Sequence, residues 1–385
     1  MTRRPIFPWI RFPWIRFSWI RLSCSILATG GIGLGLVSER AIATAPMQPL
    51  QSPLPNQLPS QWVIPEPEQP RSPRFPSPAP VADPVEIEWP NFGSPRLNEQ
   101  LRHYWRYVQT LGPPDVLIVG SSRALQGLDP HVLAHQLYRE GYGRLRVYNF
   151  GINGATAQVV RWLLLDLLGR DRLPPLILWP KGSRAFNNGR PDRTYLSIAN
   201  SPGYRQLRQG WRPPWSTVDA PLPPDARRTG IIPNSTLTFN GFLRDQRRFH
   251  PPSYYAKFPK VAGQFDGSYV PFVLNNGPQI QAVRTLAQDL AQRPESPSLV
   301  LINLPLSRDF LDRTRRRYEQ QFQRFLGTIQ AQSQWQLRDY LDLWRTQDGN
   351  FADPSHINLW GAGVLARRLA ADTTIPWPAS TNPQR

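Results

Sequence analysis

From about residue 92 onward, short unbroken apolar runs alternate with stretches whose apolar residues recur every three or four positions. The runs "DVLIVG" (115–120), "LRVYNFG" (145–151), "PLILWP" (175–180), "SLVLINLP" (298–305) and "WQLRDYLDL" (335–343) read as strands. Between them, "HVLAHQLYRE" (131–140), "TAQVVRWLLLDLL" (156–168), "QIQAVRTLAQDLAQ" (279–292) and a polar segment at about 308–332 have helical spacing. Strands separated by crossover helices predict an α/β fold, with three α/β/α layers and a mostly parallel sheet of about five strands. A long stretch at about 184–276, rich in Gly, Pro, Asn and aromatics, interrupts the rhythm and reads as an insertion. Near the C-terminus, "FADPSHINLWGAG" (351–363) has Asp353 before Pro354, an N-cap followed by a favoured first helical residue, and then an amphipathic stretch.

The first 90 residues follow no such pattern. Phe7–Arg11, Phe12–Arg16 and Phe17–Arg21 repeat a unit of aromatics closed by a cation, the chemistry of a bilayer interface. "LSCSILATGGIGLGLV" (22–37) is uncharged but shorter than the roughly 20 residues a spanning helix needs. With the basic flank before it and "AIATA" (41–45) after it, residues 1–45 are expected to be a signal peptide, cleaved after Ala43, or an uncleaved membrane anchor. Residues 46–90 are proline-rich without apolar periodicity and read as a disordered spacer. These features predict export, to the periplasm or to a membrane anchor facing it. The α/β domain is expected over 91–377, with a tail at 378–385.

Composition sharpens this division. The chain of 385 residues carries a net charge of +18, and only Lys181, Lys257 and Lys260 are lysines. Residues 1–45 are net +5 and residues 46–90 net −3, so +16 falls on residues 91–385. Such a charge raises nucleic acid as a partner, but no basic helix, zinc spacing or RNP-like aromatic pattern accompanies it. An anionic envelope polymer or a membrane surface suits the same field. The one cysteine, Cys24, excludes an internal disulfide and cysteine-based zinc sites.

In open parallel sheets, ligands bind beyond the strands' C-terminal ends. The first strand runs there into "GSSRALQGLDP" (120–130), a turn that sets a hydroxyl beside backbone N–H groups. No Gly-Lys-Ser/Thr follows, so this is not a P-loop. It is one substitution from a G-x-S-x-G elbow, but the order of elements does not fit α/β-hydrolases. "NFGINGAT" (149–156) follows the second strand, "GSRAFNNGR" (182–190) follows the third, and Asp353 and His356 come late, three positions apart.

These four blocks, in this order, resemble the SGNH (GDSL-like) hydrolases. The likeness extends to the alanyl-transfer proteins of teichoic-acid modification, to alginate acetylation proteins and to an uncharacterised cyanobacterial branch. It implies a flavodoxin-like sheet and a Ser-His-Asp triad: Ser122 as nucleophile, His356 as general base and Asp353 as its orienting acid. Ser121 is a rival nucleophile, and Asp342 and Asp348 are rival acids. The N–H groups of Ser122 and Gly154 would form the oxyanion hole. The third block departs from Gly-x-Asn-Asp, so either Asn187 or Arg184 would be the third donor. Arg123, Asn153, Lys181 and Arg190 are expected at the substrate, with Arg193 close by in sequence. No cofactor or metal is expected. The implied activity is ester hydrolysis or O-acyl transfer on an acylated or anionic polysaccharide, with the 184–276 insertion as lid or platform. The alternative is a catalytically weak accessory protein of the same fold that partners a membrane acyltransferase.

Overall fold

The computed structural model describes residues 88–215, 235–260, 269–293, 296–333 and 335–379. The expected leader, most of the spacer and the end of the tail lie outside these residues. All of them belong to the unit Ala82–Arg385.

Five strands form one sheet: β1 (Val116–Gly120), β2 (Val147–Gly151), β3 (Leu176–Lys181), β4 (Ser298–Asn303) and β5 (Gln336–Asp339). Their order is β2-β1-β3-β4-β5, and every pairing is parallel. Strands of a parallel sheet are covered on both faces, which explains why they read as unbroken apolar runs. The two-residue pleat then sorts them. Leu117, Val119, Ile177, Trp179, Leu299 and Leu301 enter one core, whereas Val116, Ile118, Leu176, Leu178, Val300 and Ile302 enter the other.

The first core is roofed by α1 (Pro95–Leu111), α4 (Ala157–Trp162), α8 (Pro278–Ala291) and α9 (Arg313–Gln332). The second is closed by α3 (Pro130–Arg139) and α10 (Leu359–Ala370). The fold is therefore α/β with helices on both faces, as the periodicity predicts. Helix α1 is an addition to the expected elements. It caps with Ser94 and presents Leu97, Leu101, Tyr104 and Val108 to the first core.

The 184–276 insertion carries structure of its own, in α5 (Arg193–Ala199), α6 (Pro202–Arg208) and α7 (Pro251–Lys257). It is also stitched to the main body. Asn149 N–H donates to the Asn240 carbonyl at 2.9 Å, and buried Gln100 donates to the carbonyls of Asn149, Gly151 and Gly241. Strand order reverses direction between β1 and β3. The chain thus leaves a crevice at their C-terminal ends, where ligands of such sheets bind.

Candidate functional site

β1 ends at Gly120, whose φ of +143° and whose ideal Cβ position, 2.6 Å from the Pro180 carbonyl oxygen, both demand glycine. The chain turns there, Ser121 caps the short helix α2 (Ser122–Gly127), and Ser122 stands at its first position. Asn149 on β2 fixes the other end of α2 by donating to the carbonyls of Ala124 and Leu128.

The late Asp and His arrive by a route different from the expected helix start. Phe351–Asp353 (β6) and His356–Ile357 (β7) form a tight antiparallel hairpin. Asn358, rather than Asp353, caps the last helix, its Oδ1 accepting from Gly361 N–H at 3.0 Å. The Asp353 carboxylate turns inward over its own hairpin. It accepts from the backbone N–H groups of Ser355 and His356 at 2.9 and 3.0 Å, and from the Ser355 hydroxyl at 3.1 Å.

His356 joins the two turns. Its Nδ1 lies 2.9 and 3.0 Å from the Asp353 carboxylate oxygens, and its Nε2 lies 3.0 Å from Ser122 Oγ. With the proton on Nδ1 facing Asp353, Nε2 is the acceptor for the Ser122 hydroxyl. Burial pushes the Asp353 carboxyl up, but the His356 ring and the Ser355 N–H and hydroxyl outweigh it and hold the pKa down to about 2. None of the rivals joins this row, although Ser121 lines the same cavity as Ser122. Asp342 pairs with Arg316, Asp348 sits on a separate turn, and Ser121 Oγ accepts from Arg123 N–H.

Arg123 was expected at the substrate, but its Nε donates to the Ser355 carbonyl at 3.2 Å. It thereby ties α2 to the 353–356 hairpin. Only 6% of the residue is exposed, and its Nη1 and Nη2 have no hydrogen-bond partner. The guanidinium fits because residue 182 is glycine: a Cβ there would stand 1.9 Å from Nη1.

These turns open on a cavity of about 210 Å³ lined by Ser122, Arg123, Gly154, Arg184, Asn187 and His356. The insertion adds a wall through Arg190, Asp192, Arg193 and Thr194. Asp192 is already saturated by Tyr195 N–H, Gln279 Nε2 and the Thr156 hydroxyl. Asn187 braces the loop: Nδ2 donates to the Tyr269 carbonyl, and Oδ1 accepts from Gly189 and Val273 N–H. Arg184 and Arg190 are exposed, and their side chains carry no hydrogen bond or ion pair among the described residues. Arg184, though exposed by area, is densely surrounded. Desolvation and the nearby Arg123, with Arg190 contributing less, lower its pKa to about 10, so it stays charged at neutral pH.

Two residues expected at the substrate lie elsewhere. Lys181 is 1% exposed, its Nζ 4.5 Å from the Phe322 ring centroid, and burial lowers its pKa to about 7 against Asp339 and Glu319. Asn153 lines an adjoining depression with Arg96, Glu99 and Ser197, which shares Arg193 and Thr194 with the cavity. Ser355, by contrast, was not singled out in the sequence, although it lies between the Asp and the His of the motif. Among the described residues no cluster of His, Cys, Asp and Glu could hold a metal ion, and no helix is long and apolar enough to cross a membrane. The chain matches no family model and no curated protein.

Proposed function

We propose that this protein is a serine ester hydrolase or O-acyltransferase of the SGNH type, acting on acyl esters of an envelope or secreted polysaccharide. The observation that carries the reading is the unbroken row Ser122 Oγ–His356–Asp353, with links of 2.9–3.0 Å. The row brings residues 234 positions apart within the hydrogen-bond reach that an activated nucleophile and its base require.

In the reaction, Ser122 Oγ attacks the ester carbonyl while His356 Nε2 takes its proton. Asp353 holds the Nδ1–H tautomer and stabilises the imidazolium. The tetrahedral intermediate collapses as the C–O bond to the sugar breaks and His356 returns the proton to the departing alkoxide. Water, or a second hydroxyl, then repeats the sequence on the acyl-Ser122 ester, giving hydrolysis or transfer. Backbone N–H groups of Ser122 and Gly154 would hold the oxyanion. Arg184 suits the third donor better than Asn187, whose side chain is committed to its own loop. The sequence of residues 1–45 supports an exported protein held at or beyond the membrane.

The test is treatment of the full-length protein with a fluorophosphonate probe and location of the adduct by peptide mass spectrometry. Labelling at Ser122 that is lost in His356→Ala and Asp353→Ala is the expected result. A folded protein that takes no label would instead support the accessory role beside a membrane acyltransferase. The engaged Asn187 side chain favours that second reading, because one missing oxyanion donor costs about 10²–10³ in rate.

A further inference from the structure

The cavity beside Ser122 has a charge its own residues do not balance. Arg123, Arg184, Arg190 and Arg193 line it, and its single acid, Asp192, is already bonded to three other donors. Arg184 and Arg190 end without hydrogen bond or ion pair among the described residues, and both face the cavity. Beneath them the Arg123 guanidinium is shut off from water with two nitrogens unpaired. A buried guanidinium with two unpaired nitrogens bears a desolvation cost that an anion beside it offsets. Like charges gathered around one hollow add to that cost. A second fact shows that the guanidinium's place is built: Gly182 leaves the space Arg123 occupies, and any side chain there would collide with Nη1.

We propose that the cavity is a subsite for one oxyanionic group, a carboxylate or a phosphate, carried by a sugar-sized unit of the ligand. Arg184 and Arg190 bind it directly, and Arg123 adds its field from below. Guanidinium groups meet planar carboxylate and phosphate oxygens with paired N–H bonds, which a neutral hydroxyl cannot match. Size limits the occupant. At about 210 Å³ the space falls below the roughly 300–1,000 Å³ of sites for drug-sized ligands, so it takes one unit rather than a stretch of polymer. The inference deepens the esterase reading by placing an acidic group beside the reacting ester, but anion binding itself does not require Ser122 to be active.

The experiment is isothermal titration of the full-length protein with glucuronate, glucose 6-phosphate and glucose. The two anions separate carboxylate from phosphate recognition. Arg190→Gln and Arg184→Gln are run alongside, with Arg144→Gln, an arginine stacked on Tyr138 away from the cavity, as the control for general surface charge. Unfolding temperatures check that each variant is folded. At least one anion is expected to bind, glucose is not, and each cavity substitution should weaken binding about tenfold or more, as loss of a charge-assisted pair does. Arg144→Gln should bind as the parent does. Equal binding of glucose, binding unchanged in both cavity variants, or no anion binding at all would each overturn the proposal. Fluorophosphonate labelling is read separately: anion binding that depends on Arg190 without Ser122 labelling sinks the esterase and leaves the anion site standing.

Discussion

Two loops reach the same cavity and are finished in opposite ways. The 353–356 hairpin satisfies itself: Asp353 gathers the Ser355 and His356 N–H groups, the Ser355 hydroxyl and the His356 ring. The loop after β3 stops short of that. Asn187 is consumed in bracing it to residues 269–273, while Arg184 and Arg190 face the cavity unpaired. A closed network preorganises a proton transfer, because little has to move when the imidazolium forms. The open cationic loop has side chains left over for the anion proposed above. Damage to the hairpin should therefore be read in chemistry, and damage to the loop in recognition.

The largest effects test the hairpin side. Ser122→Ala or His356→Ala should lower acyl-ester turnover by on the order of 10⁴–10⁶, the range for loss of a triad nucleophile or base. Asp353→Asn should cost about 10⁴, because the amide favours the wrong imidazole tautomer. Steady-state kinetics on acylated sugar esters checks both, and losses under tenfold would break the assignment.

Acid gives the hairpin a second readout. The Asp353 carboxyl titrates near 2 in the folded protein, below its ordinary value near 4. Its contribution to stability is therefore full above the ordinary value and is lost as pH falls toward 2. The stability gap between the parent and Asp353→Asn should be widest near neutrality, narrow below about pH 4 and close only as pH falls through about 2. Denaturant melts at stepped pH would show it, and a gap that widened in acid would contradict the network.

Effects on the loop should be smaller and should divide. Arg184→Ala is expected to lower kcat by about 10²–10³ if it is the third oxyanion donor. Asn187→Ala should act instead on stability, by about 1–3 kcal/mol, because it strands the Gly189 and Val273 N–H groups. Denaturant melts alongside turnover separate the two. If Asn187→Ala cost more turnover than Arg184→Ala at equal stability, the roles would be exchanged.

The same contrast marks what could be read from the sequence. Sheet strands were legible because burial on both faces leaves an apolar run, Asp353 and His356 because they stand three positions apart, and Ser122 because its Gly-Ser-Ser turn directly follows the first strand. Helix α1 was harder, since buried Gln100 and His103 blur its apolar face. The hairpin was misjudged because Asp-Pro suits a helix start as well as a turn, and only the capping bond from Gly361 to Asn358 decides. Asn187 looked like an oxyanion donor until residues 269–273 were placed against it. Nothing in either segment announces the bond between Arg123 and Ser355, which are 232 positions apart.

The finest test of the closed network is Ser355→Ala. Its hydroxyl donates to Asp353 at 3.1 Å and stands 3.2 Å from His356 Nδ1, whereas its N–H bond to Asp353 survives the change. One hydrogen bond of that kind is worth about 0.5–1.5 kcal/mol, so turnover should fall by about twofold to tenfold. The kcat profile should keep its shape, because the Asp353–His356 contact that sets the tautomer remains. A loss as large as that of Asp353→Asn would mean that the hydroxyl, rather than the carboxylate, orients the ring. That outcome would move the third member of the triad two residues along the hairpin and leave the contrast with the arginine loop intact.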